Sequence, residues 1–135
     1  MDKYFNLYIE TNLNVADVIV FLNSIIKDSR INGIYTLSTK YYDFEVMLNK
    51  EYNIYLNKKF PDGFLYFKHI IECYPNVGEF DDKEYISFVN KVLKDLWNKD
   101  VPAIVACDFE EDLINNGGYK SLEVPFPPDG ASEIT

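Results

Sequence analysis

Histidine occurs once in these 135 residues, as His69, cysteine twice, as Cys73 and Cys107, and arginine once, as Arg30. Each scarcity removes a class of chemistry. One imidazole and two thiols fall short of the three or four clustered ligands a zinc site gathers, so no metal is expected. Two thiols allow a single disulfide at most, and no C-x-x-C occurs. No apolar run approaches the roughly 20 residues that cross a bilayer. The opening Met1-Asp2-Lys3-Tyr4 shows no basic-then-apolar leader. Reduced thiols in apolar runs and no leader point to a cytoplasmic chain. Cations are in short supply too: 13 Lys+Arg against 22 Asp+Glu give a net charge of −9. A field of that sign repels nucleic acid and anionic membranes alike, and it attracts basic proteins.

What is present describes a globular domain. Hydrophobic residues make up 47% and aromatics 16%, which is far from a disordered composition. Phe5, Leu7 and Ile9 alternate with polar neighbours, as in a strand with one apolar face. Asn14 is placed to cap a helix whose apolar stripe runs Val15, Val18, Ile19, Leu22, Ile25 and Ile26. Alternation over 41–48, resumed at Tyr52, Ile54 and Leu56, reads as sheet, with a further strand near 34–39. Pro61-Asp62-Gly63 reads as a turn, followed by a long aromatic strand from Phe64 to Cys73. Asp81 with Glu84 forms a capping box and Phe80 with Tyr85 a staple, opening a second helix that stops before Pro102. Ala103–Cys107 reads as a strand buried on both faces. Asp108 then caps a short helix closed by Asn115-Asn116-Gly117-Gly118.

The element order β-α-β-β-β-α-β, with two amphipathic helices against a mostly antiparallel sheet, predicts an α+β two-layer sandwich, a ferredoxin-like variant. One domain is expected over residues 1–124. The proline-rich 125–135 reads as an extended or mobile C-terminal tail.

Catalytic equipment is sparse. His69 and Cys73 share a strand four residues apart, about 13 Å at 3.3 Å per residue, beyond proton-transfer reach. A pairing of His69 with Cys107 across the sheet stays open. Asp43 and Glu45 lie two apart on one strand face, with no cleft implied. Gly117-Gly118 follows Asn115-Asn116 as a helix stop, whereas a phosphate cradle leads into a helix start. No cofactor site and no catalytic residue is assigned.

Charge placement says more. Residues 68–135 hold six basic and fourteen acidic side chains, and residues 1–67 hold seven and eight. Two clusters stand out: Glu79, Asp81, Asp82 and Glu84, then Asp108, Glu110, Glu111 and Asp112. Helix starts favour carboxylates by about 0.3–1 kcal/mol, but one or two per helix suffice. The surplus points to a surface for a basic partner. Tyrosine, with 11 copies, is a favoured interface anchor, and Tyr4, Tyr8, Tyr35, Tyr41, Tyr55 and Tyr119 include several beyond core needs.

The helix end Leu93-Lys94-Asp95-Leu96-Trp97, the run Val101-Pro102-Ala103-Ile104-Val105-Ala106-Cys107, and Asp108 to Leu113 before Gly117-Gly118-Tyr119 together resemble small bacterial immunity proteins. These stand beside secreted polymorphic or contact-dependent growth-inhibition toxins. The resemblance implies a non-enzyme that binds and neutralises a cognate toxin domain, often a basic nuclease, as a monomer in a 1:1 complex. The partner-binding residues expected on charge and aromaticity are Glu79, Asp81, Asp82, Asp108, Glu110, Glu111, Asp112 and Tyr119. Two other classes compete: a small enzyme using His69 and Cys107, and a non-catalytic adaptor subunit of a larger assembly.

Overall fold

The computed structural model describes residues 1–59 and 62–118. Eight elements follow one another: β1 (Phe5–Ile9), α1 (Val15–Ile25), β2 (Arg30–Ile31), β3 (Thr36–Ser38), β4 (Tyr42–Leu48), β5 (His69–Pro75), α2 (Asp82–Asn98) and β6 (Ala103–Cys107). The six strands form one sheet in the order β2-β3-β4-β5-β1-β6, every neighbouring pair antiparallel. Both helices pack on one face, so the molecule is a two-layer α+β sandwich. Four consecutive strands, β4-β5-β1-β6, carry the interleaved crossovers of a ferredoxin-like sheet, and β3 and β2 extend it beyond β4.

Local chemistry explains the helices. Asn14 Oδ1 accepts the Asp17 N–H at 2.8 Å. Asp81 Oδ1 accepts the Glu84 N–H at 2.9 Å, and the Glu84 carboxylate reaches back to the Asp81 N–H. The apolar stripe of each helix then meets Phe5, Leu7 and Ile9 of β1 and their cross-strand neighbours in one core. Aromatic edges tighten it: the Phe5 and Tyr42 rings lie 4.8 Å apart, and Phe88 stacks on Tyr42 at 5.8 Å.

Four local expectations change. Residues 52–56 are turn, not strand: Asn53 Oδ1 accepts the N–H groups of Tyr55 and Leu56, which folds the chain away from the sheet. Asp62–Tyr66 is a 3₁₀ turn, so β5 begins only at His69. A fourth strand lies between the helices, because the two-residue β2 is too short to show alternation. The turn at Glu110–Asp112 has no side-chain cap from Asp108; Glu110 instead accepts the Cys107 N–H at 3.4 Å. β6 is an edge strand, and its burial comes from the Ile114–Gly118 turn on one side and Phe64 and Phe67 on the other. Tyr119, the proposed end of the domain at 124 and the tail 125–135 lie outside the described residues.

Candidate functional site

The helices cover one face of the sheet. The other face divides in two. Over its far half the excursion from Asn49 to Phe67 folds back and packs Phe64 and Phe67 on Ile104 and Tyr8. Glu10 pins it there, accepting Asn57 Nδ2 at 2.8 Å and the Lys68 N–H at 3.2 Å. Burial pushes the Glu10 carboxyl up, and these hydrogen bonds hold it partly down. Asn49 Nδ2 adds bonds to the Leu65 and Phe67 carbonyls, both 2.8 Å.

Nothing among the described residues packs on the near half. Here Glu45 stands directly opposite Glu72, Glu72 opposite Asn6, and Asn6 opposite Ala106. In the next row Asp43 faces Tyr74, whose ring lies 5.3 Å from that of Tyr4. The Tyr4 hydroxyl sits 3.0 Å from Glu72 Oε2 and 2.8 Å from Asn6 Oδ1. Burial, then the hydrogen bond to Glu72, raises the Tyr4 phenol. Burial and the charges of Glu72 and Glu45 raise that of Tyr74. Among the described residues no cation pairs with Asp43, Glu45 or Glu72; the ion pairs present are Lys3–Asp82 at 3.5 Å and Lys91–Asp95 at 3.2 Å.

The two acidic clusters read from the sequence leave the sheet at this same end, since Cys73 of β5 and Cys107 of β6 both face Phe5. Their side chains are not equally free. Asp81 caps α2, Asp82 pairs with Lys3, and Glu84 closes the capping box and accepts the Tyr41 hydroxyl at 3.3 Å. Glu110 is turned to the backbone. Glu79, Asp108, Glu111 and Asp112 are exposed. The carboxylate pair Glu45–Glu72 and the tyrosines around it escaped the charge count, because strand register brings them together. The alternation Ile70, Glu72, Tyr74 along β5 was the available signal.

The residues named for catalysis do not meet. Cys107 and His69 are separated by β1 and by four residues of strand, about 13 Å along the sheet and about 10 Å across it. Burial pushes the Cys107 thiol up to about 12 and the His69 imidazole down to about 4, the wrong direction for a thiolate–imidazolium pair. Cys73 and Cys107 are both free thiols. No group of three His, Cys, Asp or Glu among the described residues is arranged to hold a metal ion, and none of the helices searched there is long and apolar enough to cross a membrane.

Comparison with known proteins returns no match: no family model, no curated sequence and no solved structure is significantly similar to this chain.

Proposed function

We propose that this chain is a binding protein of the immunity type, which captures a basic toxin domain on the acidic, tyrosine-bearing half of its open sheet face. The observation that carries the reading is the cross-strand pair Glu45–Glu72, which has no cation partner among the described residues. Like charges directly opposite on neighbouring strands are destabilising by roughly 0.2–1 kcal/mol. A basic partner turns that repulsion into charge-assisted hydrogen bonds. Tyr4 and Tyr74 add rings on which a guanidinium stacks.

A nuclease must hold a polyanion, so its substrate groove is basic, and a face lined by Asp43, Glu45 and Glu72 competes for it. Exposed Asp108, Glu111 and Asp112 on one flank and Glu79 on the other widen the field that steers the encounter. Tyr119 remains an anchor candidate by sequence. The partner stays a single polypeptide in a 1:1 complex inside the cell, with neither nucleic acid nor membrane engaged. The likeness of residues 85–119 to immunity proteins supports the same class. The separation of His69 from Cys107 weighs against the catalytic alternative.

The test is co-expression with a basic toxin domain drawn from the genes that neighbour the one encoding this chain. The Glu45→Lys/Glu72→Lys protein, checked for native circular dichroism, should lose at least about tenfold in affinity, chiefly through a slower on-rate, and should fail to protect cells. Lys94→Glu, on the helix layer, should protect like the parent. Undiminished affinity in the folded double variant would refute the assignment of this face.

A further inference from the structure

A hollow of about 270 Å³ opens on the helix layer, walled by the residues just after α1, the turn between β3 and β4, and the middle of α2. Its walls follow from local structure. Asp28 takes a φ of 60°, and the Ser29 hydroxyl donates back to the Ile26 carbonyl at 2.6 Å, which ends α1 and turns the chain into β2. Phe88, Lys91, Val92 and Asp95 recur at the three- and four-residue spacing that puts them on one side of α2. The floor is apolar. Ile26 and Val92 are 5% and 3% exposed, and the half-buried rings of Tyr41 and Phe88 lie 5.3 Å apart at 50° beside them. Tyr41 is held by its hydroxyl, which donates to Glu84 Oε2 at 3.3 Å.

The mouth is polar, and its charge is opposite to the chain's −9. Lys27, Lys40 and Lys91 stand there against Asp28 and Asp95, and Lys91 already pairs with Asp95 at 3.2 Å. That leaves two amines against one carboxylate, and neither Lys27 nor Lys40 has an ion pair among the described residues. The Lys40 ammonium lies 5.4 Å from the centre of the Tyr41 ring and 5.7 Å from that of Phe80, an attraction that keeps it at the edge of the apolar floor. A concave, mostly apolar hollow with a few convergent polar groups is the usual form of a small-molecule site. We propose that this hollow binds a small planar aromatic carboxylate, with its ring on Tyr41 and Phe88 and its carboxylate between Lys27 and Lys40. Two rings tilted against each other offer an aromatic guest both a face and an edge, and a carboxylate has one oxygen for each amine. The volume falls just below the roughly 300–1,000 Å³ of most such pockets, which limits the guest to one or two fused rings. Asp28 opposes the binding and so tunes it. The hollow lies on the layer opposite the acidic sheet face, and the assignment does not depend on how that face is read.

Titration of the isotope-labelled chain with naphthalene-2-carboxylate at neutral pH tests this. Amide shifts should saturate and centre on Ile26, Tyr41, Phe88 and Val92, with a Kd of about 1 mM or tighter, the range open to a guest of this size. The neutral naphthalene-2-methanol should bind at least about threefold more weakly, as should Lys27→Gln/Lys40→Gln the carboxylate. Both lysines are exposed, so the variant keeps its fold, which circular dichroism checks. Asp28→Asn keeps a residue type that accepts positive φ, and it should bind about twofold tighter or better. Lys94→Gln, outside the hollow, should bind like the parent. Shifts that centre elsewhere, or that have not saturated by about 10 mM, would overturn the proposal. Equal affinity for the alcohol, for the folded double lysine variant or for Asp28→Asn would overturn it as well.

Discussion

Gly117→Ala should lower the unfolding free energy by about 2–4 kcal/mol, measured by urea denaturation. Residues 115–118 all have positive φ, at 51°, 53°, 79° and 96°, so the chain makes a left-handed turn against the exposed side of β6. A Cβ on Gly117 would lie 2.6 Å from the Val105 carbonyl oxygen, and one on Gly118 would lie 2.9 Å from that of Ala103. Both obstacles are backbone of a strand and cannot rotate away. The turn is held by α2: the Ile114 N–H donates to Asn90 Oδ1 at 2.9 Å, and Trp97 Nε1 donates to the Ala103 carbonyl at 3.0 Å. Alanine therefore displaces the turn and uncovers an edge strand, which templates unwanted pairing. Asn116→Gly, at φ 53°, should be neutral or stabilising by up to about 1 kcal/mol, because glycine adopts this conformation without strain. Equal stabilities for the parent and Gly117→Ala would contradict the close approach.

Acid should destabilise the fold through His69. Its side chain is fully buried, and among the described residues neither ring nitrogen makes a hydrogen bond of good geometry, the Leu13 backbone offering only a weak one that holds the pKa up slightly. Burial and then the charge of Lys68 lower its pKa to about 4, against an ordinary 6.5. Between those values the unfolded chain binds the proton and the folded one does not. The contribution is therefore complete above pH 6.5, shrinks as pH falls, and is exhausted near pH 4. At about 1.4 kcal/mol per pKa unit the loss is about 3 kcal/mol. Glu10 acts in the opposite sense, since a raised carboxyl takes up its proton earlier in the folded state. Comparison with His69→Leu isolates the histidine: the difference in stability between the two proteins should shift by about 3 kcal/mol in favour of the variant from pH 7 to pH 4. A pH-independent difference would place the imidazole in contact with water or a partner.

The helices were legible residue by residue. Asp81, Glu84, Phe80 and Tyr85 take up the capping box and staple their spacing announces; the rings of the last pair lie 5.9 Å apart. Strand alternation placed β1 and β4 as well. It failed at Tyr52, Ile54 and Leu56, where the same period is produced by a chain reversing at Asn53. The candidate site was half legible. Asp43 and Glu45 share a face by their spacing alone, but Glu72 joins them only through the pairing of β4 with β5, a contact between residues 27 apart that no local pattern encodes. The openness of that face depends likewise on where Glu10 and Asn49 anchor the intervening excursion. The charge count found the clusters at 79–84 and 108–112, yet it could not tell that Asp81 and Glu84 are absorbed in capping α2 and Glu110 in a backbone contact.

The central claim is that the acidic half of the sheet face opposite the helices, and not the helix layer, receives basic polypeptide. Titration of the isotope-labelled protein with an arginine-rich peptide, followed by amide chemical shifts, tests it most directly. The account expects the largest changes at Tyr4, Asn6, Glu45, Glu72 and Tyr74, fading as salt is added. Changes confined to α1 and α2, or none at these five positions, would contradict it.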